Sequence, residues 1–256
     1  MMAATVIQHF LDNDNHQTRQ RLKDLFKDSL FQPRYNISLE EERELALKRL
    51  KAICANGLFS VNDFFDNPLR IFAAHEVAGL CDGSMATKMT VQFNLFGGTV
   101  LKLGTTKHHA MLSKGIDSLD DVGCFALTEL GYGNNAIDME TTATYDASSK
   151  EFIINSPSPL SQKFWITNSA LHAKWAVVFA QTYLHTRHEG IHGYLVRLRD
   201  NAGRVMPGVT VHDMGHKMGC NGVDNGKLAF QNVRIPQDMM LDAFSHVTDR
   251  GTLEST

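Results

Sequence analysis

The sequence predicts an α+β chain in two parts, a helical region to about residue 122 and a β-barrel or sandwich from Gly123 onward. Two observations carry this. Apolar residues recur at three- and four-residue spacing in the first part and at alternate positions in the second. Beyond the change of period, short runs rich in Val, Ile, Thr, Phe and Tyr are separated by turn clusters such as Asp146-Ala-Ser-Ser and Asp200-Asn-Ala-Gly. Many short strands at that spacing build a barrel or sandwich. A length of 256 residues accommodates one large domain or two modest ones and needs no disulfides to bury a core.

The elements follow in order. Ser38-Leu-Glu-Glu41 is a capping box, with Ala46, Leu50 and Ile53 on one face behind it and Gly57 as the stop. Asn67-Pro68 opens a second helix whose apolar face is Ile71, Ala74, Ala78 and Cys81. A third follows Asp82-Gly83 and lines up Met85, Met89, Phe93 and Phe96, a helix–helix core stripe. Strands are predicted over Cys124–Glu129, Glu140–Asp146, Glu151–Asn155, Trp175–Tyr183, His192–Arg199, Val209–Asp213 and Leu228–Arg234. After Pro236, weak helical character returns from Asp238 to about Phe244.

Composition narrows the class. With 25 Lys+Arg against 28 Asp+Glu, 43% hydrophobic and 21% charged residues, the chain reads as an ordinary soluble globular protein. The balance lacks the basic excess of a nucleic-acid binder, and no run approaches the ~20 apolar residues of a membrane span. The start, Met-Met-Ala-Ala-Thr, carries no basic or long apolar leader, and the end, Leu-Glu-Ser-Thr, differs from the Ser-Lys-Leu peroxisomal address. No targeting signal is therefore visible. Cys54, Cys81, Cys124 and Cys220 form no CxxC pair and are expected to be small buried hydrophobes in a reducing compartment.

Most chemical motifs fall away on context. Gly131-Tyr-Gly133-Asn-Asn-Ala136 fits a dinucleotide template, but a strand follows it where the template requires a helix. His185, His188 and His192 are expected in a polar loop entering a strand, and His108-His109 receive the same reading, so no metal site is assigned. No P-loop, nucleophile elbow or HExxH is present.

Two polar clusters at strand ends remain. They are Cys124-Phe-Ala-Leu-Thr128-Glu129-Leu-Gly131-Tyr-Gly133-Asn134-Asn135 and Lys163-Phe-Trp165-Ile-Thr167-Asn168. A planar heterocycle wants an aromatic face to stack on and hydroxyl or backbone donors for its ring atoms. The same residues also suit turns around a core Trp.

These clusters carry a resemblance. The segment from Gly123 to Pro236 resembles the middle β-domain of the acyl-CoA oxidase/acyl-CoA dehydrogenase family and is most similar to the peroxisomal acyl-CoA oxidases. Gly-Cys-Phe-Ala-Leu-Thr-Glu-Leu-Gly-Tyr-Gly-Asn-Asn, Glu-Thr-Thr-Ala-Thr-Tyr-Asp, Glu-Phe-Ile-Ile-Asn-Ser-Pro and Gly-His-Lys-Met-Gly-Cys-Asn-Gly-Val-Asp-Asn-Gly follow in family order. The helical part is similar to the family's N-terminal domain around Leu39–Ala46, Glu76-Val-Ala-Gly-Leu and Gly104–His109. The implied domains are 1–122 helical, 123–237 β-barrel with half of a flavin and acyl-CoA site, and 238–256 the start of a link.

The resemblance implies FAD as cofactor, with Thr128, Glu129, Gly133, Trp165 and Thr167 as flavin-contacting positions and Asn134 and Asn135 near the substrate. Thr128 matches the Thr that bonds the flavin pyrimidine edge, and Trp165 and Thr167 match the aromatic on the isoalloxazine and the residue facing N5. The similar oxidases have Gly at the Thr167 position, whereas dehydrogenases read Trp-Ile-Thr. The implied reaction is α,β-dehydrogenation of a fatty acyl-CoA, with electrons passed to oxygen, in a peroxisomal homodimer. The family's catalytic base is a Glu in a C-terminal four-helix domain, which the sequence does not reach. No catalytic residue is assigned, and neither Glu129 nor Glu140 is taken as the base. The alternatives are a non-catalytic fragment or scaffold and an acyl-CoA dehydrogenase.

Overall fold

The computed structural model describes residues 2–248 and 250–255. Helices α1 (Met2–Asp12), α2 (His16–Leu25), α3 (Leu39–Ala55), α4 (Asp63–Asp66), α5 (Pro68–Cys81), α6 (Gly83–Thr90), α7 (Gly98–Leu103) and α8 (Thr106–Ser118) form the first part. Ser38 Oγ accepts from the Glu41 N–H at 3.2 Å and the Glu41 carboxylate from the Ser38 N–H at 3.0 Å, so the capping box starts α3. Gly57 follows α3 at φ +57°, a conformation that costs glycine nothing. Asp82 accepts from the Ser84 and Met85 N–H groups at 2.8 and 3.1 Å and opens α6. Beyond Thr90 the helix widens into a π-helical stretch, Val91–Gly97, before α7. Met85, Met89, Phe93 and Phe96 are all fully buried in the helical core.

The second part contains β1 (Gly123–Ala126), β2 (Thr142–Asp146), β3 (Glu151–Asn155), β4 (Lys163–Ile166), β5 (Trp175–Leu184), β6 (Arg187–Arg197), β7 (Val209–Asp213), β8 (Gly226–Phe230), β9 (Val233–Pro236), β10 (Ser245–Val247) and β11 (Leu253–Ser255). One sheet runs β1-β5-β2-β3-β9 with β6 on the other edge of β5, and a second runs β4-β8-β7. Strand β5 holds β1 in parallel along its first half and β2 in parallel along its second. Both faces of the β5–β6 hairpin are buried. Val177 and Leu195 join the helical core, whereas Val178, Tyr194 and Val196 join the core between the two sheets. The hairpin is thus the wall between the two cores, and the period-two pattern supplies each side. The α+β expectation holds, with the β part curled as a half-barrel.

Several local expectations are corrected. The predicted strand over Leu228–Arg234 is two strands, because Asn232 takes φ +50° and breaks it. The segment after Pro236 is not helical beyond a single turn at Gln237–Met239; it continues as the β10–β11 hairpin. Asp249 and Thr256 of the 238–256 link lie outside the described residues. His188 and His192 sit within β6, bonded to Gln181 at 2.7 Å and Thr182 at 2.9 Å, and His185 makes the turn at φ +55°. Cys220 is exposed and Cys54 and Cys81 are half-buried, leaving Cys124 as the fully buried thiol.

His108 is not in an exposed loop. It is 1% exposed, its Nδ1 accepts from the Thr105 N–H at 3.0 Å, and its Nε2 donates to the Asp238 carbonyl at 2.9 Å. It therefore caps α8 as a neutral imidazole and ties it to the chain after β9. Burial holds His75, His108 and His192 below the usual histidine range. The unfolded chain then binds more protons than the folded one below the unfolded value of about 6.5, so stability should fall as pH drops through that value. Urea midpoints at pH 7.5 and 5.5 check this, and a His108→Gln variant should show a shallower drop.

Candidate functional site

The two polar clusters are brought side by side. The Phe164 N–H donates to the Thr128 carbonyl at 2.9 Å, the Leu130 N–H to Gln162 at 2.9 Å, and the Gly131 N–H to Leu160 at 2.9 Å. A bridge pairs Glu129 with Lys163, so the run after β1 and the strand β4 form a short antiparallel ladder. A Cβ on Gly131 would stand 2.7 Å from Leu160 Cβ, so glycine there is what lets the two backbones close.

Alternation on this ladder decides which side chains face outward. Glu129 and Lys163 point inward, 2% and 0% exposed, and Thr128 and Leu130 point out. Trp165 would follow Lys163 inward in a regular strand. The register shifts between Lys163 and Ile166, Trp165 takes φ +63°, and its ring turns out to 52% exposure while Ile166 stays buried. A bulge that re-aims one side chain commonly serves a site, and a bulky residue at positive φ is strained backbone held by its surroundings.

Asn225 supplies part of that hold. Its Nδ2 donates to the Trp165 carbonyl and to Thr167 Oγ1, both at 3.2 Å. Because the Thr167 oxygen accepts there, its own O–H proton can be donated elsewhere. Leu130, Leu160 and Ile137 are 44%, 50% and 75% exposed on the same two loops and the turn beyond them. An aromatic face, a directed hydroxyl and exposed apolar side chains suit a flat heterocycle with polar edges. The residues present fit a flavin.

Glu129 differs from its expected contact role. Its carboxylate accepts from the Glu140 N–H at 2.8 Å, the Thr141 N–H at 3.0 Å and Lys163 Nζ at 3.0 Å, all away from the outward face. Lys163 also donates to the carbonyls of Leu127 at 3.1 Å and Phe179 at 2.7 Å, so all three ammonium protons are bonded. Burial pushes its pKa down to about 8 against the opposing pull of Glu129. The pair ties the end of β1, β4 and β5 beneath the outward face. The signal for this pair in the sequence is a lysine at an inward position of an alternating strand.

Glu140 is held by the hydroxyls of Ser158 and Tyr132, which keep it below the usual carboxylate range, and the bond to the Glu140 carboxylate pushes Tyr132 up to about 12. Gly133 sits at φ +52° in an open turn. Asn134 and Asn135 are exposed there, and Asn135 Nδ2 donates to Asp138 at 2.6 Å. The turn runs into a single helical turn at Ala136–Asp138 and then β2, so no dinucleotide-type helix follows the glycines. Among the described residues no helix is long and apolar enough to cross a membrane.

The likeness to known proteins is strong over this geometry. The family model for the acyl-CoA dehydrogenase middle domain matches residues 124–233. The chain is 38% identical over 227 residues to peroxisomal acyl-coenzyme A oxidase 3 of Arabidopsis thaliana, covering 88% of this chain and 34% of that protein. The crystal structure of acyl-CoA oxidase 3 from Yarrowia lipolytica superposes with a TM-score of 0.86 at 31% identity, over 98% of this chain and 36% of the other. A Caenorhabditis elegans acyl-CoA oxidase-2 structure, bound with FAD, ascaroside-CoA and ATP, gives 0.83 at 25% identity, over 97% and 38%. The chain therefore spans about a third of the length of the relatives it matches.

Proposed function

The chain belongs to the acyl-CoA oxidase and acyl-CoA dehydrogenase family, and from that premise we propose that it forms the flavin- and acyl-facing part of an FAD-dependent acyl-CoA oxidase. The reaction is α,β-dehydrogenation of a fatty acyl-CoA to the trans-2-enoyl-CoA in peroxisomal β-oxidation, within a homodimer and with oxygen as the final acceptor. The observation that carries this reading is the outward Trp165 at φ +63° beside a Thr167 hydroxyl whose proton is directed by Asn225.

When bound, FAD supplies the acceptor for two electrons and the β-hydrogen. The chain's own residues bind and orient. Trp165 would cover one face of the ring, the Thr167 O–H would donate to a ring nitrogen, and the Thr128 hydroxyl would meet the polar edge. Leu130, Leu160 and Ile137 keep water from the slot, where positioned groups act most strongly. Gly133 is assigned to the cofactor and Asn134 and Asn135 to the acyl-CoA. Glu129 and Glu140 hold the two loops together and do not take the α-proton.

The test is a titration of the purified chain with FAD followed by anaerobic addition of a fatty acyl-CoA. Quenching of Trp165 fluorescence by bound yellow flavin is expected, with no bleaching by this chain alone, because Glu129 and Glu140 are bonded internally and no other base for the α-proton is assigned. Bleaching by this chain alone would overturn the second reading, a non-catalytic scaffold, which the internal bonding of both Glu129 and Glu140 favours. Absence of FAD binding overturns the flavin reading. Thr167→Gly should weaken FAD binding by roughly threefold to tenfold, the worth of one hydrogen bond. It should also quicken reoxidation of the reduced protein by oxygen, since it opens space beside the ring. A dehydrogenase would stay reduced in air.

A further inference from the structure

The helical part sends two fully buried polar side chains into the β part, one turn apart on the same helix. Lys88, in α6, is 1% exposed, and Gln92, in the π-helical stretch, is 0% exposed. Lys88 Nζ donates to Asn168 Oδ1 at 3.0 Å and to Asp224. Asn168 Nδ2 donates to the Gly123 carbonyl at 3.2 Å, and the Gly123 N–H donates to Gln92 Oε1 at 2.8 Å. Lys88, Asn168, Gly123 and Gln92 thus close a ring of hydrogen bonds with the helix between its ends. Gln92 Nε2 is also satisfied, by the Ile116 carbonyl at 3.1 Å and that of Asp121 at 3.0 Å. Asp224 completes the set by accepting from the Leu171 and His172 N–H groups at 2.8 and 3.1 Å.

Every partner of these side chains in the β part lies on one of three segments. Gly123 opens the strand that leads to Thr128. Asn168 follows Thr167 directly and is held at φ +69°, the left-handed conformation that Asn tolerates. Asp224 precedes Asn225, the residue that bonds the Trp165 carbonyl and Thr167 Oγ1. A second polar contact joins the same two parts elsewhere. At the start of α8, Thr105 Oγ1 at 3.1 Å and Lys107 Nζ at 2.5 Å donate to Asp242 beyond β9, touching none of these segments.

We infer that Lys88 and Gln92 are positioning residues which fix the distance and orientation between the Thr128 strand and the Trp165–Thr167 loop from the helical side. Packed apolar residues would join the two parts at least as stably. What a buried ring of directional bonds adds is a single relative placement of the atoms it touches. The inference deepens the flavin reading above and rests on it for its functional consequence only.

The test uses the full chain in a Trp175→Phe background, which leaves Trp165 as the sole tryptophan. The paired variant Lys88→Met/Asp224→Asn removes the ammonium without stranding a buried carboxylate, and Gln92→Met removes the hold on Gly123 at similar volume. Lys107→Met/Asp242→Asn weakens the same junction away from the site. The Lys88/Asp224 and Gln92 variants, together the latch variants, are expected to raise acrylamide quenching of Trp165 about twofold, lower its anisotropy and weaken FAD binding by roughly tenfold, about the worth of one buried hydrogen bond. The Lys107/Asp242 pair should lower the melting temperature while leaving the Trp165 signals and FAD affinity near those of the parent.

Equal Trp165 changes in both sets, or none in the latch variants, overturns the inference, because a merely structural junction would not distinguish them. If Lys88→Met/Asp224→Asn does not fold, Gln92→Met alone carries the comparison. If the parent binds no FAD, the flavin reading fails, while Trp165 quenching and anisotropy still decide the positioning role.

Discussion

Lys163→Met is expected to lower folding stability by about 3–5 kcal/mol, because it leaves the Glu129 carboxylate buried without its counter-charge. Both side chains are essentially inaccessible to water, and the ammonium bonds Glu129 and two backbone carbonyls, Leu127 just past β1 and Phe179 in β5. Methionine keeps most of the volume, so the loss reports charge and hydrogen bonding more than packing. The double variant Glu129→Met/Lys163→Met should recover a large part of the loss, since a buried pair replaced by packed apolar groups is often neutral. Guanidinium melts of the three variants measure this. A single variant within about 1 kcal/mol of the parent would mean that the pair is not tying β1, β4 and β5 together.

Gly123→Ala should be nearly as damaging for a different reason. A Cβ at that position would stand 2.0–2.3 Å from three ring carbons of Phe96, which is fully buried in the helical core. The ring has no free end to swing away, so the strand or the helix must move, at a cost of about 1–3 kcal/mol. For a chain of this size that is a fall of roughly 2–12 °C in melting temperature. Gly123→Ala/Phe96→Leu should be more stable than the sum of the two single changes, because leucine vacates part of the clash. Additive losses in thermal denaturation would argue against direct contact between these residues. The same displacement should disturb Trp165, since Gly123 is bonded to both Gln92 and Asn168.

How much of this was legible beforehand follows from what each feature depends on. The helix starts at Ser38, Pro68 and Asp82 were visible because capping is local chemistry, decided within four residues. The Met85–Phe96 stripe was visible because one helix face repeats along the chain, although the π-helical widening within it was not. His108 was misread because burial against Asp238, far along the chain, turned a polar pair into a cap. The tail after Pro236 was misread because its weak periodicity lost to strand pairing between Ser245–Val247 and Leu253–Ser255.

The site divides in the same way. Thr128, Trp165 and Thr167 stand out in the sequence as candidates, because polar and aromatic residues at strand ends are unusual enough to mark, and because the motifs around them resemble a known family. What only the tertiary structure decided is that Glu129 turns inward to Lys163, that a bulge turns Trp165 outward, and that Lys88 and Gln92 reach across from the helices. The sequence by itself determined the two-part α+β order and the chemical kinds present in each part, because period and capping are properties of neighbours in the chain. Which polar groups face a ligand and which bond one another depended on segments far apart in sequence meeting in space, and on the requirement that every buried charge find its partner there.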